Sequence, residues 1–279
     1  MVAIHSEALV LRVLDFGESD RIVHLLVPDS GRLTAIAKGA RRSVRRFPGT
    51  LDLFNHLRVQ ADSRRAHAMA RLEQATLIHS FPGLRSEAPR FALGCYLLEL
   101  LDRLAPEGAS RGDARRLFAF ALAALDTAAR DPLDARLRTL LELRALDALG
   151  LRPELRRCVR CGEEPAPAAL GEPTRIGFHI GEGGPVCARC AAGAAGLLPI
   201  QLGTLRALER ALRLPPEQLD RLVLGERTLE EARVLLTRFQ RFHVGVELRS
   251  ERLLDQLFAT VPLRAARAPA ASEPDPRRA

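Results

Sequence analysis

Four of the five cysteines fall in two close pairs, Cys158-Val-Arg-Cys161 and Cys187-Ala-Arg-Cys190. A C-x2-C spacing lets two thiolates approach one ion at about 2.3 Å, and two such knuckles complete a sulfur tetrahedron. Zn²⁺ suits that shell because it imposes no geometry of its own. With all four positions filled no water is activated, so the expected role of the metal is to hold the surrounding segment together. Gly162, Gly183 and Gly184 fit the tight backbone this needs. A redox dithiol or incidental thiols compete with this reading, but the doubled spacing argues for metal. A zinc deaminase needs Pro directly before the first Cys and an H-x-E. Here Val186 separates Pro185 from Cys187, and His179 is followed by Ile180 and Gly181.

A second concentration of chemistry is Lys38, Arg41, Arg42, Arg45 and Arg46, with no acid among them. Such a run suits the phosphate backbone of a nucleic acid, with Phe47 as a candidate stacking surface and Gly39 permitting close approach. A solvated basic loop is the plainer reading, since charge runs are common on surfaces. Aromatic residues make up only 4% of the chain, so the expected grip is on phosphate with little sequence preference.

Catalytic patterns are missing from the sequence. It contains no P-loop, G-x-G-x-x-G, G-x-S-x-G or H-E-x-x-H, and the expectation is a protein that is not an enzyme. Asp15, Glu18 and Asp20 sit near one turn and could bind Mg²⁺, although an ordinary polar turn accounts for them more simply. Cys95 lies among leucines, where a small buried hydrophobe is the better reading than a nucleophile.

The elements that must position these groups change character along the chain. Glu7 to Leu14, Arg21 to Val27, Arg32 to Ala37, Leu51 to Gln60 and Met69 to Ser80 read as short strands, the last of them also readable as a helix. Pro28-Asp-Ser-Gly31 supplies the turn chemistry of a hairpin. Five strands in 80 residues suit a five-stranded OB-fold barrel. Beyond Phe81-Pro82-Gly83 the leucine spacing becomes helical. A first helix ends near Pro106, a second starts with Asp113 as N-cap, and a third ends at Gly150. Cys, Gly and Pro dominate 156–198, with Arg175 to Ile180 as a possible strand. Helical spacing then returns at Leu202 and again at Leu229. The expected organisation is an α+β chain: an OB-fold domain over 1–80, a helical domain over 81–155 and 199–261, a zinc-finger insert over 156–198, and a disordered tail over 262–279.

With 42 Lys plus Arg against 34 Asp plus Glu in 279 residues, the chain carries a net charge of +8, which favours an acidic partner. Lys38 is the only lysine, so the choice of arginine at any one position carries little information and clustering must decide. No stretch approaches the roughly 20 apolar residues of a membrane helix, and the first residues lack a signal peptide. The expected location is the cytoplasm.

The order of strands, Lys38-Gly-Ala-Arg41-Arg42 followed by Arg45-Arg46-Phe47, helices, four cysteines and further helices closely resembles the RecO family of bacterial recombination mediators. The resemblance covers about residues 1 to 260. It implies an OB domain followed by a helical domain with a zinc finger, and non-enzymatic work in DNA repair in association with the nucleoid. It further implies binding of single- and double-stranded DNA, annealing of complementary strands, contact with the acidic C-terminal tail of single-strand DNA-binding protein, and loading of RecA together with RecR. On this chain the resemblance makes Lys38, Arg41, Arg42, Arg45 and Arg46 the DNA-contacting residues and Cys158, Cys161, Cys187 and Cys190 the zinc ligands. Some members of that family lack the metal ligands; all four are present here.

Two other classes remain on the residues alone. Arg156, Arg157, Arg160 and Arg189 around the knuckles would suit a zinc-ribbon transcription or RNA-binding regulator. A thiol oxidoreductase would use one C-x-x-C with a low-pKa thiol.

Overall fold

A computed structural model describes residues 2–63, 69–167, 174–214, 222–245, 247–259 and 261. The C-terminal segment 262–279, expected from composition to be a disordered tail, lies outside the described residues.

Strands β1 (Val2–Phe16), β2 (Asp20–Val27), β3 (Gly31–Ala37), β4 (His56–Ser63) and β5 (Ala70–His79) form a closed barrel in the order β1-β2-β3-β5-β4. The expected OB-type barrel is therefore present. β1 closes it, pairing its first half with β4 and its second half with β2, with a register shift between Val10 and Arg12. Only the β3–β5 contact is parallel. Leu51 to Asn55, expected to begin the fourth strand, instead forms turns, and β4 starts at His56.

Alternation along the strands explains why the N-terminal apolar run is unbroken. Ala8 and Val10 point into the barrel with Val23, Leu25, Ala35, Leu57, Val59 and Leu72. Leu9, Leu11 and Leu26 point outwards into a second core built by helix α1 (Ala88–Leu104) and helix α2 (Arg111–Arg130). A strand buried on both faces needs apolar side chains at every position. The hairpin β2–β3 turns at Gly31, where φ is +82° and an added Cβ would meet the Pro106 carbonyl oxygen at 2.3 Å.

The N-cap of α2 is Ser110 rather than Asp113. Ser110 Oγ accepts from the Asp113 backbone N–H and donates to its carboxylate, so the acid sits in the first turn of the helix beside its cap. Helix α3 (Ala135–Ala148), capped by Asp134, lies between two cores. Leu137, Leu141 and Ala145 face α1 and α2, while Leu140, Leu143 and Leu146 face the rest of the chain.

Past α3, strands β6 (Arg175–His179), β7 (Gly184–Val186) and β8 (Leu198–Gln201) make a small sheet in the order β7-β6-β8, with the short helix α4 (Ala188–Ala191) between β7 and β8. Phe178, Leu198 and Ile200 of this sheet share one core with α3, helix α5 (Leu202–Arg213) and helix α6 (Glu226–Val244). Helix α7 (Arg249–Phe258) follows α6 after Gly245, whose φ is +68°, and packs back on α1. The Glu99 carboxylate on α1 accepts from the Arg249 and Ser250 backbone N–H groups, closing the free end of α7.

Candidate nucleic-acid interface and metal centre

The five cations expected to contact nucleic acid lie in one loop leaving β3, and the turn between β1 and β2 braces it. Gly39 N–H donates to Asp20 Oδ1 at 2.8 Å, Lys38 Nζ lies 2.8 Å from Asp20 Oδ2, and Arg41 N–H donates to the Ser19 carbonyl at 3.0 Å. The Lys38 hydrogen bond, followed by that of Gly39, holds the Asp20 carboxyl below its usual range. Arg41 also reaches Asp15 at 3.8 Å, and Arg46 reaches Glu73 at 3.9 Å. Asp20 thus finds its partners in the loop, and Asp15 is shared between Arg21 on β2 and Arg41, so both carboxylates are engaged as supports rather than gathered as a magnesium site. Arg42 and Arg45 are exposed, and among the described residues neither makes an ion pair. The free positive charge of the loop is concentrated on these two.

Phe47, expected as a stacking surface, is only 3% exposed. The Ala75 N–H donates to the Arg46 carbonyl, which draws the segment onto β5 and sends the Phe47 ring into the barrel core. The Arg46 guanidinium lies over that ring, 5.2 Å from its centre. Phe47 therefore positions Arg46 and is not available to a base.

Cys158, Cys161, Cys187 and Cys190 converge, with all four sulfur atoms within 4.8 Å of one another. Cys161 Sγ and Cys187 Sγ are 3.7 Å apart, close to the edge of about 3.8 Å that a tetrahedron with bonds of about 2.3 Å requires. The donor set and spacing fit a single metal ion. Gly162, with φ of +76°, closes the first knuckle by donating its N–H to the Cys158 carbonyl at 2.8 Å. Burial opposes the Cys158 thiolate, but backbone N–H groups of Cys187, Arg160 and Cys161 aim at its sulfur and bring the thiol down to about 6. At the other end of the set, the hydrogen bond with Cys187, then burial, pushes Cys190 up to about 12. Gly184 packs tightly behind the site: a Cβ there would lie 2.4 Å from Val159. His179 stays outside the cluster, where its Nδ1 accepts from the Glu182 N–H.

The arginines around the knuckles are largely spent on carboxylates. Arg156 pairs with Glu164 at 2.7 Å, Arg160 with Glu182 at 2.7 Å, and Arg189 with Glu163 at 3.1 Å.

Comparison with known proteins covers both halves of this architecture. A family model described as Recombination protein O N terminal matches residues 1–81, and one described as Recombination protein O C terminal matches residues 85–252. The chain belongs to the RecO family. Its relatives named DNA repair protein RecO include one from Anaeromyxobacter sp. (strain K), 39% identical over 252 residues, covering 89% of this chain and 94% of the relative. Another, from Syntrophus aciditrophicus (strain SB), is 31% identical over 90% of this chain and 95% of its own length. A third, from Symbiobacterium thermophilum, is 35% identical over 76% of this chain and 81% of its own. The boundary between the two RecO-family matches falls at the 3-10 turn Pro82–Arg85. The N-terminal match carries the basic loop and the C-terminal match carries the four cysteines.

One feature of this RecO-family chain is invisible in the residue pattern. A cavity of about 330 Å³ opens between β1, α1 and α7. Leu11, Leu53, Cys95 and Leu98 line it with apolar surface, Arg12, Arg103 and Arg249 with positive charge, and Glu99 and Asp102 with carboxylates. Burial, then the Glu99 carboxylate, pushes the Cys95 thiol up to about 11, so it serves as apolar lining, as expected from its leucine neighbours. Only long-range packing creates this cavity, since β1, α1 and α7 are distant in sequence. No helix among the described residues is long and apolar enough to cross a membrane.

Proposed function

We propose that the chain is a non-enzymatic recombination mediator: it binds single- and double-stranded DNA, anneals complementary strands and, with RecR, helps load RecA onto DNA coated by single-strand DNA-binding protein. The observation that carries this reading is a braced basic loop on the rim of an OB barrel, in a chain matched by both RecO-family models. In the proposed arrangement residues 1–80 are the DNA-binding domain, the helices of 81–155 and 199–261 form a second domain, and 156–198 is its zinc finger.

Annealing needs no nucleotide hydrolysis. Cations that screen two phosphate backbones lower their repulsion, and base pairing supplies the free energy. Lys38, Arg41, Arg42, Arg45 and Arg46 are the proposed contacts: Arg42 and Arg45 engage phosphate with their full charge, and Lys38, Arg41 and Arg46 contact it while also bracing the loop. Zn²⁺ is the proposed ion on Cys158, Cys161, Cys187 and Cys190, where its work is structural. The cavity between β1, α1 and α7 is the proposed seat of the acidic tail of single-strand DNA-binding protein. Its two carboxylates are engaged within the protein, Glu99 by the Arg249 and Ser250 N–H groups and Asp102 by His24, Arg12 and Arg32. That leaves apolar surface flanked by arginines to meet an acidic peptide bearing apolar side chains. A knuckle-centred transcription or RNA-binding regulator is disfavoured, since Arg156, Arg160 and Arg189 are already paired with glutamates.

The test is annealing of complementary oligonucleotides coated with the cognate single-strand DNA-binding protein, in the absence of nucleotide, using intact and tail-deleted coat protein. Acceleration that depends on the tail is expected. No acceleration while DNA binding persists would overturn the mediator reading.

A further inference from the structure

With Phe47 buried, the barrel still offers apolar surface beside the basic loop, on strands rather than in the loop. Along β1, Leu14 is 36% exposed and Phe16 is 50% exposed. They lie two residues apart and so share the outer face, whereas Val13 packs inwards with the barrel core. Leu14 is paired with Ile22 on β2, and Ile22 with Ile36 on β3, so Leu14, Ile22 and Ile36 form one outward row across three strands. The neighbouring row begins with Phe16 opposite Asp20, whose carboxylate takes Lys38. Arg41 is held over the same hairpin, its guanidinium donating to the Glu18 carbonyl. The apolar rows and the basic loop are therefore a single continuous surface.

We propose that Phe16, with Leu14, Ile22 and Ile36 beside it, is a base-contacting platform that makes the loop prefer single-stranded over double-stranded DNA. The proposal rests on the DNA-binding reading above and adds to it a strand preference and a residue. Phosphates held by Arg42 and Arg45 leave the bases of an unpaired strand free to lie on the apolar rows. In a duplex those bases are stacked inside, and the platform meets only sugar and phosphate. Charge complementarity decides the occupant: an apolar strip bordered by Lys38 and Arg41, in a loop that also carries Arg42 and Arg45, suits a polyanion with flat apolar faces better than another protein surface. Stacking on an aromatic ring accepts any base, so the preference is for strandedness and not for sequence.

The chain contains no tryptophan, which makes the test direct. Affinities of the full-length protein are measured for oligothymidylate and for an abasic strand of the same length, which keeps the phosphates and removes the bases. The intact protein is expected to favour oligothymidylate by about fivefold or more, in line with the usual range of one base–aromatic stack. Phe16→Ala should remove most of that ratio and leave abasic-strand affinity unchanged. Phe16→Trp should restore it and report binding by fluorescence quenching with oligothymidylate but not with the abasic strand. Equal affinities for the two strands, or a ratio unaffected by Phe16→Ala, would overturn the platform while leaving the phosphate-binding loop intact and mark the strip as a protein contact. Failure of the intact protein to bind either strand would overturn both readings.

Discussion

Replacing Arg42 and Arg45 together with alanine tests the phosphate grip at the two loop cations that make no ion pair among the described residues. Both side chains are exposed, so stability should change by no more than about 0.5 kcal/mol. Each phosphate contact on a single strand contributes about 0.7 to the slope of log affinity against log salt, so losing two lowers the slope by about 1.4. Raising salt from about 50 mM to about 200 mM is a fourfold change, which should weaken the intact protein about sevenfold more than the double variant. Fluorescence anisotropy with a labelled oligonucleotide across that range measures the slope. Arg46→Ala is the informative contrast: Arg46 supports the Lys38 carbonyl and stacks on Phe47, so its loss should cost stability along with binding. An unchanged salt slope in the Arg42→Ala/Arg45→Ala protein, with the fold intact, would refute the assignment of free loop charge to phosphate.

Two further outcomes follow from the packing. Chelation should remove about one zinc ion per chain and speed hydrogen exchange in β6, β8 and α5, because Phe178, Ile200 and Leu205 share one core; barrel strands should keep their protection. Unfolding of the whole barrel on metal loss would contradict that separation. Asp102, buried on α1, supplies the pH dependence: burial works against its carboxylate, yet the hydrogen bond from His24 at 2.6 Å and the charges of His24, Arg32 and Arg12 hold its carboxyl below the usual range. A carboxyl depressed on folding contributes stability above its unfolded pKa of about 4, and that contribution is lost as pH falls through the lower folded value. Asp102→Asn should therefore lower the urea midpoint near pH 7, and the gap to the parent should narrow once pH falls below about 4; an offset that stays constant across that range would exclude the ion pairs as the cause.

What the sequence made legible was local. The C-x2-C spacings need only short-range geometry, and the turn at Pro28 to Gly31 needs only the conformational preferences of its own residues. The leucine spacing likewise locates α1, α2 and α3 to within a few residues. What stayed hidden depends on partners far along the chain. The basic run contains no acid, but β-pairing brings Asp15 and Asp20 to it, and only the folded register reveals which arginines remain unpaired. Phe47 is buried for the same reason: a loop aromatic is drawn inwards by the Arg46 carbonyl's bond to Ala75, whereas Phe16 on a strand is left half-exposed by alternation. β7 and β8, three and four residues long, are too short to show a period. α7 merges with α6 in the hydrophobic pattern because Gly245 is the main local sign that the chain turns.

The bracing of the basic loop has a kinetic side. A long arginine-bearing loop free in solvent would have to surrender backbone and rotamer freedom each time a strand arrived, and that entropy would be subtracted from every encounter. Here folding has already met most of that cost, through Asp20 holding Gly39 and Lys38, Ser19 holding Arg41, and Ser43 holding Arg46. On the proposed DNA-binding reading, capture would then be limited by diffusion and electrostatic steering rather than by rearrangement of the loop. On that reading the acids beside the basic run, which on charge alone would repel a polyanion, would speed its capture.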